Sequence, residues 1–190
     1  MKKYISLILI FVFIFSISLS TKANQNNLDI QNSNAQALLK LDILRGYEDG
    51  SLRLENNIRR SEFITLVVRL MGYHNDDDID NVNITFKDIE KNHWAYNNIR
   101  LAVKYDLVAG YPDNTIAPNN NVTFAEALAV VIRALGYENT LEGTWPDNVI
   151  NKATELNLDK NLSLKANQQI TRGEMSVIVY NALTVKLNTD

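Results

Sequence analysis

The chain has 190 residues, 22 acidic against 19 basic, two histidines and no cysteine. This excludes disulfides, cysteine nucleophiles and thiolate metal sites, and leaves little material for a triad or a zinc centre. A net charge of −3 gives no general attraction for nucleic acid or anionic polymers, so any anion must be held by a few placed side chains.

Met1, Lys2 and Lys3 precede an apolar run from Tyr4 to Leu19, and Thr21-Lys22-Ala23 offers small residues at the −3 and −1 positions of a cut. This reads as a secretory signal peptide over 1–23. The competing reading, an uncleaved anchor, calls for a span of about 20 apolar residues, longer than this run. Removing 23 residues leaves 167, with 16 basic side chains (19 less Lys2, Lys3 and Lys22) against 22 acidic ones, a net charge of −6. That length suffices for one sizeable core.

Residues 24–34 are polar and rich in Asn and Gln, and are expected to be a flexible lead-in. From Ala35, apolar residues at Leu38, Leu39 and Ile43 follow helical spacing. Gly46-Tyr47-Glu48-Asp49-Gly50 ends that helix and opens a turn. A second helix starts near Ser61 and is apolar over most of its circumference, with Gly72 placed to end it in a left-handed conformation. Asp76, Asp77, Asp78 and Asp80 lie in the next linker. Asn81 and Lys87 stand where a calcium loop needs glycine and a bidentate glutamate, so the linker reads as a solvated acidic one.

Phe86-Lys87-Asp88 leads to Asn92-His93-Trp94-Ala95. Asn92 is a candidate N-cap, Ala95, Ile99, Ala102 and Val103 make a buried stripe, and Trp94 is expected to anchor this helix to the core. His93, alone in a first turn, reads as a surface or capping residue. Gly110 to Glu126 then forms a turn, a short extended piece and a helix start. Gly110 can take the positive φ of the turn, and Thr123 with Glu126 fits a capping box. The helix from Phe124 is apolar nearly all round, which requires a central position.

The same text recurs along the chain. Subtracting 64 maps Gly110, Tyr111, Asp113 and Glu126 onto Gly46, Tyr47, Asp49 and Glu62. Adding 51 maps Trp94, Ile99, Ala102 and Leu107 onto Trp145, Ile150, Ala153 and Leu158. Adding 48 maps Val122, Thr123 and Glu126 onto Ile170, Thr171 and Glu174. The third loop is therefore three residues shorter and has lost the Gly-Tyr-Pro-Asp turn. Three repeats follow, over 35–73, 86–137 and 143–187, and such repeats decide the architecture. The expected fold is all-α: three helix-loop-helix repeats in a pseudo-threefold bundle, with one nearly all-apolar helix from each packed at the centre.

On Phe86-x-Asp88, His93-Trp94-Ala95, Gly110-Tyr111-Pro112-Asp113, Pro118 and the family's Thr-Arg-Ala-Glu motif, the chain resembles the S-layer homology (SLH) family. That motif stands here as Arg59-Arg60-Ser61-Glu62, Thr123-Phe124-Ala125-Glu126 and Thr171-Arg172-Gly173-Glu174. The resemblance implies inter-repeat grooves, a secreted cell-wall or S-layer location, and non-covalent attachment to secondary cell-wall polysaccharide, often through a pyruvylated amino sugar. No cofactor is expected, no nucleic-acid partner given the net charge, and no membrane association once the signal peptide is removed.

The motif makes chemical sense for such a ligand. The guanidinium of Arg60 or Arg172 can grip a carboxylate with two parallel bonds, and a helix N-terminus nearby adds free N–H groups and its dipole. Tyr47 and Tyr111 are candidates for stacking on a sugar ring, or for packing in the core. Asp49 and Asp113 complete the candidate ligand set. Thr123, Glu126, Thr171 and Glu174 are explained by capping alone. Phe124 replaces the motif's arginine, so its groove is expected to bind an acidic sugar weakly. No carboxylate recurs outside loop and cap positions, which argues against a wall-glycan hydrolase. A structural component of the surface array, or an adaptor for another wall protein, is the alternative to a binding module.

Overall fold

In the computed structural model, residues 25–76, 79 and 81–189 are described. The expected signal peptide over 1–23 lies outside them, as do Asp77, Asp78 and Asp80. The described residues form six helices: α1 over residues 25–40, α2 Arg60–Leu70, α3 Tyr96–Lys104, α4 Phe124–Ala134, α5 Asp147–Glu155 and α6 Arg172–Ala182. Short 3₁₀ turns, Tyr73–Asn75 and Glu138–Thr140, follow α2 and α4. The all-α expectation holds among these residues.

The first helix of each repeat stops in the same way. Asp42, Asp106 and Asn157 are left-handed, with φ of 56°, 54° and 57°. Behind them Ile43, Leu107 and Leu158 donate their N–H groups to Leu38, Ala102 and Ala153. Asp and Asn tolerate this conformation best among residues with a Cβ.

The flexible lead-in expected over 24–34 is helical from residue 25. Gln25 donates to Asp29, and Asn32 to the Leu28 carbonyl, both four residues apart. A side chain on Gly173 would strike Gln31, so α1 lies over the start of α6. The early polarity was misleading because only one edge of this segment, Asn34 and Ala35 onward, is buried.

The second helices form the centre. α2 packs on α4 and α4 on α6, and Val68, Ile132 and Val179 are fully buried. The first helices wrap outside, α3 against α2 and α5 against α4. Asn92 is not the cap of α3; Ala95 holds that position, and His93 Nδ1 accepts the Ala95 N–H.

A ring of three β-bridges closes the bundle. Asn57 pairs with Thr171, Arg59 with Asn121, and Thr123 with Gln169. Ile58 donates to the Ile170 carbonyl, Ile170 to Val122, and Val122 to Ile58, each within 3.0–3.2 Å. All three apolar centres are buried. Each residue thus uses its backbone to bind a different repeat, and no repeat completes the ring without the other two.

Candidate functional site

The ring fixes which repeat faces which. Helix starts that would have orphan N–H groups are served by the loop of another repeat. Arg60 and Ser61 donate to Asn120 and Pro118, Phe124 and Ala125 to Gln168 and Ala166, and Arg172 and Gly173 to Asn56 and Leu54. These N–H groups are therefore spent inside the protein. The expected contribution of free helix N-termini to anion binding is not available at these positions.

The cap glutamates close each start. Glu126 accepts the Thr123 N–H, and Thr123 in turn accepts the Glu126 N–H; Thr171 and Glu174 do the same. In repeat 1, Glu62 accepts the Arg59 N–H, but arginine has no acceptor to return.

Because the motif of one repeat meets the loop of another, arginine and tyrosine come together from different repeats. Arg172 stands 4.8 Å from the Tyr47 ring, and Arg60 stands 5.0 Å from Tyr111. Tyr47 donates its hydroxyl to Glu62 Oε1 at 2.7 Å, and Tyr111 to Glu126 Oε1 at 2.9 Å. Burial raises the pKa of both phenols above the usual value, and these carboxylate bonds add to it. Two related arrangements result, and they differ in that Tyr47 also has Arg53 4.1 Å from its ring. In the third, the motif of repeat 2 meets the loop of repeat 3. Phe124 is buried there, and that loop has lost its tyrosine. Both sequence losses fall in one groove.

The two arginines differ in burial. Arg172 is only 4% exposed. Its Nε donates to the Leu52 carbonyl at 2.8 Å, Nη2 to Arg45 O at 3.1 Å, and Nη1 to Glu62 at 3.3 Å. It ties α6 to the first loop. Arg60 is half-buried, and its Nε has no partner.

Asp49 and Asp113 staple their own loops. Asp49 accepts from the N–H and hydroxyl of Ser51 and from Arg53, which hold its carboxyl well below the usual range, the Ser51 hydroxyl most of all. Asp113 accepts from the Thr115 hydroxyl, with Lys87 3.7 Å away. Asp88, in the Phe-x-Asp motif, accepts the N–H groups of Ile116 and Ala117 and fixes the middle loop.

Tyr47, Asp49 and Arg172 line one cleft of about 1000 Å³ between the first loop, α2 and the start of α3; Arg59, Arg69 and Trp94 also face it. Arg60, Tyr111 and Asp113 do not belong to this cleft. Trp94, expected as a core anchor, is 59% exposed, and Trp145 is 56% exposed. The helical spacing held the signal: Ala95, Ile99 and Ala102 are the buried stripe, and Trp94 precedes it by one residue, off that face. Arg69 carried no signal beyond its charge, whereas Arg59 stood at the threonine position of the motif.

A family model described as the S-layer homology domain matches residues 85–128. The chain is 36% identical over 147 residues, 77% of its length, to the Middle cell wall protein of Brevibacillus brevis, of which it covers 14%. It is 35% identical over 147 residues, again 77% of its length, to the Surface layer protein of Brevibacillus choshinensis, covering 13% of it. Over 92 residues, 48% of the chain, it is 37% identical to the Cellulosome-anchoring protein of Acetivibrio thermocellus, covering 21% of it. The chain thus spans about a fifth or less of the length of these relatives. Threefold backbone ring, recurring motif starts and these matches lead to one conclusion: this chain carries an S-layer homology domain.

Proposed function

We propose that the chain anchors a protein at the bacterial cell surface by binding secondary cell-wall polysaccharide in two of its three inter-repeat grooves. The observation that carries this reading is the repeated pair of a guanidinium over a tyrosine ring, Arg172 with Tyr47 and Arg60 with Tyr111. An acidic sugar fits such a pair. The ring offers a face for the sugar, and guanidinium N–H groups that the protein leaves free can grip a carboxylate, such as that of a pyruvylated amino sugar.

Relatives named as cell-wall, surface-layer and anchoring proteins support the surface location. The carboxylates at these loops and helix starts support binding over hydrolysis. Asp49, Asp88, Asp113, Glu126 and Glu174 are held by loop and cap hydrogen bonds, whereas a glycosidase needs two carboxylates facing a bond in a cleft.

Incubation of the purified chain with wall sacculi tests the proposal. Retention on sacculi that keep their secondary polysaccharide, loss of retention when it is stripped, and no soluble sugar released are the expected results. Equal retention on stripped sacculi, or release of fragments, overturns it.

A further inference from the structure

The cleft on repeat 1 holds more positive charge than a single sugar carboxylate requires. Of its guanidiniums, Arg53 pairs with Asp49, Arg45 with Asp42, and Arg172 with Glu62. Arg59 and Arg69 line the same cleft, and neither side chain has a hydrogen bond or ion pair among the described residues.

The equivalent positions show why this is particular to repeat 1. Position 59 corresponds to Thr123 and Thr171, which are helix caps. Position 69 corresponds to Arg133 and Asn181. Arg133 donates to the Leu107 carbonyl and pairs with Glu138; Asn181 donates to the Leu158 and Lys160 carbonyls. Each of these side chains ties the end of its central helix to the turn after the preceding helix. The partner glutamate is replaced in repeat 1 by His74, and Arg69 is left untied. Burial lowers its pKa from the usual arginine value and Arg45 adds a like charge, with Asp42 opposing them more weakly. A half-buried guanidinium in this state gains from any anion that enters.

Ser61, Thr65 and Arg69 share one face of α2, four residues apart, and Thr65 Oγ1 is buried with no partner. Arg59 sits at the opposite end of the helix. Ten residues of α-helix separate the two arginines, a rise of about 15 Å. Trp94 lines the same cleft and is exposed.

We infer that the repeat 1 cleft takes an oligosaccharide bearing two anionic groups on different sugars, with Arg69 receiving the second and Arg59 the end nearer the motif. This rests on the polysaccharide-binding reading and adds to it a requirement for the ligand. Carboxylate and phosphodiester groups share the needed chemistry. Arg69 is then a specificity-determining residue that the other two grooves lack in free form.

The test is an NMR titration of the purified chain, following the indole N–H signals of Trp94 and Trp145 separately. Trigalacturonate supplies carboxylates and a glycerol-phosphate trimer supplies phosphodiesters. At least one trimer is expected to shift the Trp94 signal and to lose about tenfold in affinity in Arg69→Gln, the scale of one charge-assisted hydrogen bond. Arg69→Lys is expected to keep most of the affinity, and Arg59→Thr with Arg69→Gln to lose more than either alone. The trimer that binds more tightly assigns the anion. Arg69→Gln binding both trimers as the wild type does, or a Trp94 signal that neither trimer moves, overturns the inference. Retention of wild-type chain on sacculi, measured alongside, separates the two readings. If it is retained while Arg69→Gln loses nothing, only the two-anion requirement fails. If it is not retained, the anchoring proposal itself fails.

Discussion

At the residue scale, the two motif arginines carry different structural loads. Arg172 is buried and spends three N–H groups on Leu52, Arg45 and Glu62. Arg172→Ala leaves two carbonyls without their donor and Glu62 without its ion pair, and we expect a loss of about 2–4 kcal/mol of stability in urea unfolding. Lysine should not rescue it, because a single ammonium cannot reach three acceptors in a plane. Glu126 gives a second prediction. Burial pushes its carboxyl pKa up, but bonds from the Thr123 N–H and hydroxyl and from Tyr111, with the nearby charge of Arg60, bring it below the usual 4.5. A carboxylate with a depressed pKa contributes stability above its ordinary pKa and loses it as pH falls through the folded value. Wild-type stability should therefore fall as pH drops below about 4.5, and Glu126→Gln should show a shallower fall. Urea melts of both proteins at a series of pH values from neutral downward check this.

At the element scale, the helix starts set the register of the whole bundle. Thr123 and Thr171 each cap a central helix with a hydroxyl, while Arg59 in α2 cannot. Thr123→Ala and Thr171→Ala should each cost about 1 kcal/mol, and Arg59→Thr should gain stability, by at most about the same amount. Thermal melts of the three single variants decide it. The caps were readable from the sequence, because a Thr three residues before a Glu carries its own local chemistry. So were the apolar central helices and their equivalence across repeats. The helix over 25–34 was not, because its polar surface hides a contact with α6 that only the assembled fold makes. Trp94 was misread for a related reason. Its size suggested burial, but burial on a helix is decided by angle, and Ala95, Ile99 and Ala102 had already taken the buried side. The engagement of the helix-start N–H groups by a neighbouring repeat was also illegible, since it depends on how the three repeats meet.

At the scale of the whole molecule, the closed ring of Ile58, Ile170 and Val122 makes the three repeats one cooperative unit. Ile132 is fully buried at the centre, and Ile132→Asp would place an unpaired charge there. Circular dichroism should show that this variant lacks a cooperative melt altogether, rather than losing one repeat. The same ring makes the grooves unequal. It brings Arg172 to Tyr47 and Arg60 to Tyr111, and it delivers Phe124 to the one loop without a tyrosine. Two working grooves on a threefold frame are therefore expected. The most direct test is the stoichiometry of a purified secondary cell-wall polysaccharide fragment, one repeat unit long, bound to the folded chain and measured by native mass spectrometry. We predict two fragments per chain at saturation, and one for Arg60→Ala. Three fragments per chain, or two retained when Arg60 is removed, would contradict it.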